Sequence, residues 1–123
     1  LALTLPEQFA AAASLSGVTD VAAWRDDLSE DFDLIFGPGE PRRGSSHDLF
    51  QLAVSLAGSD RPKPRLYQCC GTEDFLYTQN TRFRDVVQPL GFDYLYEEGP
   101  GDHNWAYWDT MISRVLTWIE RAS

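Results

Sequence analysis

Asp74 and His103 are the two residues of this 123-residue chain whose setting points to chemistry. Asp74 stands in Gly71-Thr72-Glu73-Asp74-Phe75, directly after the apolar stretch Arg65-Leu66-Tyr67-Gln68-Cys69-Cys70. His103 stands in Gly99-Pro100-Gly101-Asp102-His103-Asn104-Trp105, after Phe92-Asp93-Tyr94-Leu95-Tyr96. A carboxylate hydrogen-bonded to an imidazole holds the ring in one tautomer and stabilises its protonated form. A general base for a hydroxyl nucleophile needs both. An acid and a histidine in loops are a weak signal taken singly. Their order, acid after one strand and histidine after the next, is more specific. Glu73 is a second candidate acid, Asp74 can instead cap a turn, and His103 can pack on Trp105 as an ordinary loop histidine. Asp102 reads as a turn residue.

The elements that would position this pair follow from periodicity. Arg65–Cys70 and Phe92–Tyr96 read as strands, each closed by glycine. Residues 78–90 read as a helix between them, with Phe83, Val86, Val87 and Leu90 on one face and Gly91 ending it. Upstream, Ser45-x-x-Asp48 resembles a capping box. Leu49, Leu52, Ala53 and Leu56 follow at helical spacing, so 46–57 is expected to be an amphipathic helix ended by Gly58. Asn104 is placed to cap a final helix, whose stripe would be Trp105, Trp108, Ile112, Val115, Leu116 and Ile119. Phe9–Ser16 is an apolar run that allows helix or buried strand alike. Taken as a strand, it makes the order strand, excursion, helix, strand, helix, strand, helix. That alternation predicts an α/β fold of about three parallel strands with crossover helices. In such sheets ligands bind beyond the carboxyl ends of the strands. A single crossover makes the Asp74 and His103 strands neighbours, so their loops should meet.

Residues 18–44 read as an acidic, turn-rich excursion with one short helical turn around Val21–Leu28; such connections often form lids or pocket walls. Trp24 would cover the pocket or merely anchor that loop. Leu1–Leu5 reads as the tail of a helix begun upstream, stopped at Pro6, which suggests a piece of a longer protein. The whole chain, 1–123, is then one partial domain.

The ten Lys and Arg against nineteen Asp and Glu give a net charge of −9. That argues against nucleic acid and anionic membranes as partners. No apolar run approaches the roughly 18 residues of a membrane span, and no signal peptide is visible. Cys69 and Cys70 are adjacent, lack metal-pair spacing and read as two free buried thiols, which fits a reducing cytoplasm. His47, at a helix start beside Asp48, reads as solvated. No metal site or cofactor is expected.

Three blocks carry a family resemblance. They are Pro6-Glu7-Gln8-Phe9 with Ala13-Ser14-Leu15-Ser16-Gly17; Cys70-Gly71-Thr72-Glu73-Asp74-Phe75-Leu76-Tyr77 with Asn80; and Leu90-Gly91-Phe92 with Gly101-Asp102-His103-Asn104-Trp105-Ala106-Tyr107-Trp108. Across nearly the whole chain outside 18–44, the sequence resembles the C-terminal half of esterase D-like carboxylesterases of the tributyrin-esterase type. The resemblance implies an α/β-hydrolase fold, Asp74 as triad acid and His103 as general base. It also implies short-chain acyl esters as substrates and no cofactor. The family's G-x-S-x-G nucleophile elbow is absent from these residues. Ser16-Gly17 is its nearest decoy, and Ser45 and Ser46 read as caps. The chain alone is therefore expected to be inactive, with its missing N-terminal half as partner. Trp105 and Ser16 are candidate substrate-binding residues, with Trp105 nearer the site and Trp108 in the core. The competing expectation is a non-catalytic α/β interaction module that pairs through an exposed strand edge. A receiver-like version is disfavoured, because the only lysine, Lys63, lies in a proline-flanked loop. Under either reading an unpaired strand edge favours homo-oligomers.

Overall fold

The computed structural model describes residues 1–25 and 27–121. Its elements in chain order are β1 (Ala11–Leu15), α1 (Ser29–Phe36), α2 (Leu49–Ala57), β2 (Arg65–Gly71), α3 (Tyr77–Val87), β3 (Tyr94–Gly99) and α4 (Trp105–Glu120). The three strands form one parallel sheet in the order β1-β2-β3. Its register sets Leu66 beside Ala12 and Tyr94, and Gly71 beside Gly99.

β2 is the middle strand, and Leu66 through Gly71 are all buried. That two-sided burial explains its unbroken apolar run, since a parallel strand is covered on both faces. Leu66 joins Ala53, Leu56, Phe83, Val87 and Phe92 under α2 and α3. Tyr67 and Cys69 point the other way, into Tyr107, Met111, Val115 and Trp118 of α4. Each large side chain removed from water in these layers contributes about 1.5–3 kcal/mol.

Local chemistry sets the helix starts. The Asp48 carboxylate accepts from the N–H groups of Phe50 and Gln51 at 3.0 and 3.3 Å, so α2 begins at Leu49. The Ser45 capping box therefore placed this helix three residues early: Asp48 is the cap. Asn104 caps α4 by accepting from the Tyr107 N–H at 3.2 Å. After α3 the chain tightens into a 3-10 turn over Gln88–Leu90, and Gly91 leaves it at φ +86°.

Three expectations change. The excursion holds a 3-10 turn over Val21–Trp24 and also α1, which was not anticipated. Its acidic sequence hides a Phe32 that is buried and meets Phe36 edge-on at 5.5 Å. Asp26 lies outside the described residues. The buried face of α4 is Tyr107, Met111, Val115 and Trp118, not the expected stripe. Of that stripe, Trp105, Ile112, Leu116 and Ile119 are exposed, and only Val115 is buried. Trp108 is half-buried against the α4 core cluster rather than fully inside it. Leu1–Leu5, expected as a helix tail, makes a helical turn closed by a 2.7 Å bond from the Leu5 N–H to the Leu1 carbonyl.

Candidate acid–base site

The loops after β2 and β3 lie in backbone contact. Thr72 N–H donates to the Gly99 carbonyl at 2.9 Å, and Glu73 N–H to the Gly101 carbonyl at 3.0 Å. These bonds continue the β2–β3 ladder past the end of the strands. The approach needs glycine on both sides. A Cβ at Gly71 would stand 2.3 Å from the Gly101 oxygen, and one at Gly101 would stand 2.6 Å from the Tyr107 ring. Gly101 also holds φ +152°, which side-chain-bearing residues rarely adopt.

Asp74 and His103 meet at this junction. Asp74 Oδ2 lies 3.0 Å from His103 Nδ1. The other carboxylate oxygen accepts from the Leu76 N–H at 2.8 Å. The Asp74 side chain is fully buried, whereas that of His103 is 34% exposed. With a proton on Nδ1 shared with the carboxylate, Nε2 is the ring nitrogen left to accept one. Two aromatic edges fix the ring plane: Phe75 at 5.0 Å and Trp108 at 4.9 Å between centroids.

A buried polar chain supports the Asp74 turn from beneath. Asn80 is wholly buried; its Nδ2 donates to the carbonyls of Leu76 and Gly17, both at 3.0 Å. Gln68 Nε2 donates to Asn80 Oδ1 at 2.9 Å, and Tyr94 O–H donates to Gln68 Oε1 at 2.5 Å. Burial pushes the Tyr94 phenol well above its ordinary value, so it remains a donor. The chain thus ties β2, β3, α3 and the turn after β1 into one unit. A satisfied buried network of this kind specifies one geometry, and breaking it leaves buried groups unpaired at about 1–3 kcal/mol each.

Each remaining candidate has a definite place. Ser16 follows β1 in a left-handed conformation, φ +54°, with its N–H on the Cys69 carbonyl at 2.8 Å. Its hydroxyl is buried and has no hydrogen-bond partner among the described residues. Trp105 is 81% exposed and meets Trp108 edge-on at 5.2 Å, so it stands one ring beyond the ring that touches His103. Trp24 reaches the site from the excursion, its ring within 16° of parallel to Phe75 at 6.3 Å. His47 is exposed, as expected at a helix start, and its ring meets Phe36 edge-on at 4.8 Å. Among the described residues no three His, Cys, Asp or Glu side chains group as a metal site requires.

The cysteines are not nucleophiles. Burial pushes the Cys69 thiol up to about 11 and the Cys70 thiol up to about 12, with the Asp74 charge adding to the latter. Both stay protonated near neutral pH, and a thiol is a poor nucleophile. An open groove of about 600 Å³ along β3 and α4 is walled by Glu97, Pro100, Asn104, Tyr107 and Arg114, without Asp74 or His103. Among the described residues no helix is long and apolar enough to cross a membrane.

Sequence reasoning missed Phe75 and Asn80 as parts of this site. Phe75 follows Asp74, but nothing local says that its ring will turn to the imidazole. Asn80 carries one usable signal: a polar residue on the same helix face as Phe83 and Val87, where an apolar one is expected.

Comparison with known proteins bears on the fold and the family. No family model matches the sequence. An acetyl esterase of Caldicellulosiruptor saccharolyticus is 30% identical over 89 residues, which is 72% of this chain and 34% of that protein. Among solved structures, a fluorophosphonate-binding serine hydrolase of Staphylococcus aureus superposes over 95% of this chain and 47% of its own. Its TM-score is 0.82 at 39% identity. An S-formylglutathione hydrolase of the same organism gives 0.79 at 36% identity over the same shares. A ferulic acid esterase, at 16% identity and TM-score 0.72, shares the fold. The chain spans about a third of the curated relative and about half of the solved ones. It is a segment of the esterase-type α/β-hydrolase fold, from the C-terminal part.

Proposed function

We propose that this chain is the acid–base part of a serine carboxylesterase acting on short-chain acyl esters, with His103 as general base and Asp74 as the acid that orients it. The observation that carries this reading is the 3.0 Å contact of Asp74 Oδ2 with His103 Nδ1, which leaves Nε2 open at the carboxyl end of the sheet. The esterase and serine-hydrolase relatives support it. The nucleophile comes from sequence outside these residues. None of the serines here sits in G-x-S-x-G, and Ser16, which has a left-handed backbone, has its hydroxyl buried.

In the whole protein a serine Oγ attacks the ester carbonyl while His103 Nε2 takes its proton. The tetrahedral intermediate collapses, and His103 returns the proton to the departing alcohol oxygen. Water, deprotonated by the same nitrogen, then attacks the acyl-enzyme; the acyl–Oγ bond breaks, His103 returns the proton to the serine Oγ, and the carboxylic acid leaves. Throughout, Asp74 holds the Nδ1 proton and stabilises the imidazolium. No step calls for a cofactor. Phe75 beside the imidazole, and Trp105 one ring further out, offer exposed apolar surface to a short acyl or alcohol group.

The test is p-nitrophenyl acetate, p-nitrophenyl butyrate and tributyrin turnover by the whole protein, with His103→Ala and Asp74→Asn. Each substitution is expected to lower kcat by about 10⁴-fold. A His103→Ala protein that keeps a tenth of the activity overturns the reading. A second reading, a non-catalytic module that pairs through β1, is favoured by the bare edge of that strand. It gains if the whole protein hydrolyses none of these esters and self-associates in light scattering.

A further inference from the structure

We propose that Glu73 is a positioning residue for the Asp74–His103 pair: its carboxylate grips the Gly101 N–H and so fixes the His103 loop against the Asp74 loop. The inference rests on the acid–base reading of that pair and goes beyond it.

Glu73 is exposed, yet one of its carboxylate oxygens is doubly engaged. Oε2 accepts from the Gly101 N–H at 2.7 Å and from the Thr72 hydroxyl at 2.7 Å. The Glu73 N–H meanwhile donates to the Gly101 carbonyl at 3.0 Å. One residue therefore holds both polar groups of one glycine on the opposite loop. The Gly101 N–H holds the Glu73 carboxyl below its ordinary value of 4.5, with Thr72 adding to it. An ionised acceptor makes the shorter, stronger kind of hydrogen bond.

The position of Gly101 makes this grip consequential. Only Asp102 and His103 separate it from Asn104, which is fixed as the cap of α4. Asp102 closes that span with a turn of its own, accepting from the His103 N–H at 2.7 Å and the Asn104 N–H at 2.9 Å. The downstream end is thus held by the helix cap and the upstream end by Glu73. Gly101 also sits at φ +152° with the Tyr107 ring against it. Glycine reaches that conformation without strain and leaves it as easily, so bonds to its peptide groups are what fix it here. Glu73 adjoins Asp74, so the residue that binds the ring and the residue that binds its loop share one short turn.

A merely structural surface hydrogen bond would alter stability and leave turnover alone. A positioning bond changes turnover, because about 1 Å of misplacement at a reacting group costs about 100-fold. The experiment compares Glu73→Ala, Glu73→Gln and Glu73→Asp in the whole protein, with Asp74→Asn and His103→Ala as references. Glu73→Ala is expected to lower kcat by about 10- to 100-fold with KM within about twofold. Glu73→Gln keeps an oxygen at the same reach and is expected to recover most of the loss. Glu73→Asp, one methylene short, is not. The low-field proton resonance of His103 Nδ1 should be sharp in the wild type and in Glu73→Gln, broadened in Glu73→Ala and absent in Asp74→Asn. Wild-type kcat together with a wild-type Nδ1 resonance in Glu73→Ala overturns the proposal. If His103→Ala leaves ester turnover intact, the acid–base reading fails. The Nδ1 resonance of Glu73→Ala still decides whether Glu73 holds the pair.

Discussion

The two edges of the sheet are finished differently. On β3 the Asp93 and Gly99 carbonyls accept from β2, so the peptide groups of Tyr94, Tyr96 and Glu98 face the open side. That side is guarded by charge. Glu97 pairs with Arg114 and accepts from the Tyr67 hydroxyl at 2.9 Å, while Arg84 lies 5.0 Å over the Tyr96 ring. On β1 the Ala10 carbonyl and the Ser16 N–H bond β2, so the peptide groups of Ala11, Ala13 and Leu15 face outward. No charged residue stands between Phe9 and Gly17. Edges that terminate a sheet carry charges, prolines or bulges that discourage further pairing. β3 has such protection and β1 has none. Of the two edges, β1 is therefore the one open to a further strand.

Three measurements test this contrast. The largest effect is expected from proline. Ala13→Pro removes only an outward N–H, as does Glu98→Pro on the other edge. In the whole protein Ala13→Pro should cost about 2–3 kcal/mol of unfolding free energy in urea, because a paired neighbour loses its donor. Glu98→Pro should cost less than about 1 kcal/mol, since edge strands tolerate proline. Equal costs would mean that β1 is as free as β3.

A smaller effect is expected at the guarded edge. Glu97→Gln should cost about 1 kcal/mol at neutral pH, by weakening the bonds from Arg114 and Tyr67. Arg114 holds the Glu97 carboxyl below its ordinary 4.5. A depressed value in the folded state means stability that is present above 4.5 and lost as the pH falls through the lowered value. The gap between wild type and variant should therefore close below that pH in acid unfolding curves. A gap that persists in acid would show that the Glu97 charge is not what guards this strand. The smallest effect is Arg84→Gln, which removes the cation over Tyr96 at about 0.5 kcal/mol. Thermal melts should register it only marginally, and a loss of several degrees would mean that Arg84 holds more of β3 than its ring contact.

Much of the framework was legible because its signals are local. Glycines close β2 and α3, Asn104 caps α4, and strand–helix alternation gives the parallel sheet. The meeting of the Asp74 and His103 loops follows from that order, since one crossover helix makes their strands neighbours. What was not legible depends on tertiary choices. The apolar face of α4 is wide, so Trp105-Ile112-Leu116-Ile119 and Tyr107-Met111-Val115-Trp118 both satisfy helical spacing. Only the sheet decides which face it buries. α1 was hidden by its acidic first turn, Glu30 and Asp31, which reads as loop although it suits the positive end of a helix dipole. The grip of Glu73 on Gly101 spans 28 positions and has no periodic signature at all.

The glycine at position 71 has a consequence that reaches beyond packing. Its missing methyl sets the thickness of the wall between two loops to zero, with the Gly101 oxygen 2.3 Å from where that methyl would be. Position 71 therefore works as a spacer gauge. Any side chain placed there writes its own width into the separation of the two loops. An alanine would act as the thinnest shim available, and a larger residue as a thicker one. A graded series at this one position would vary the gap between an acid and a base while leaving both chemical groups unchanged.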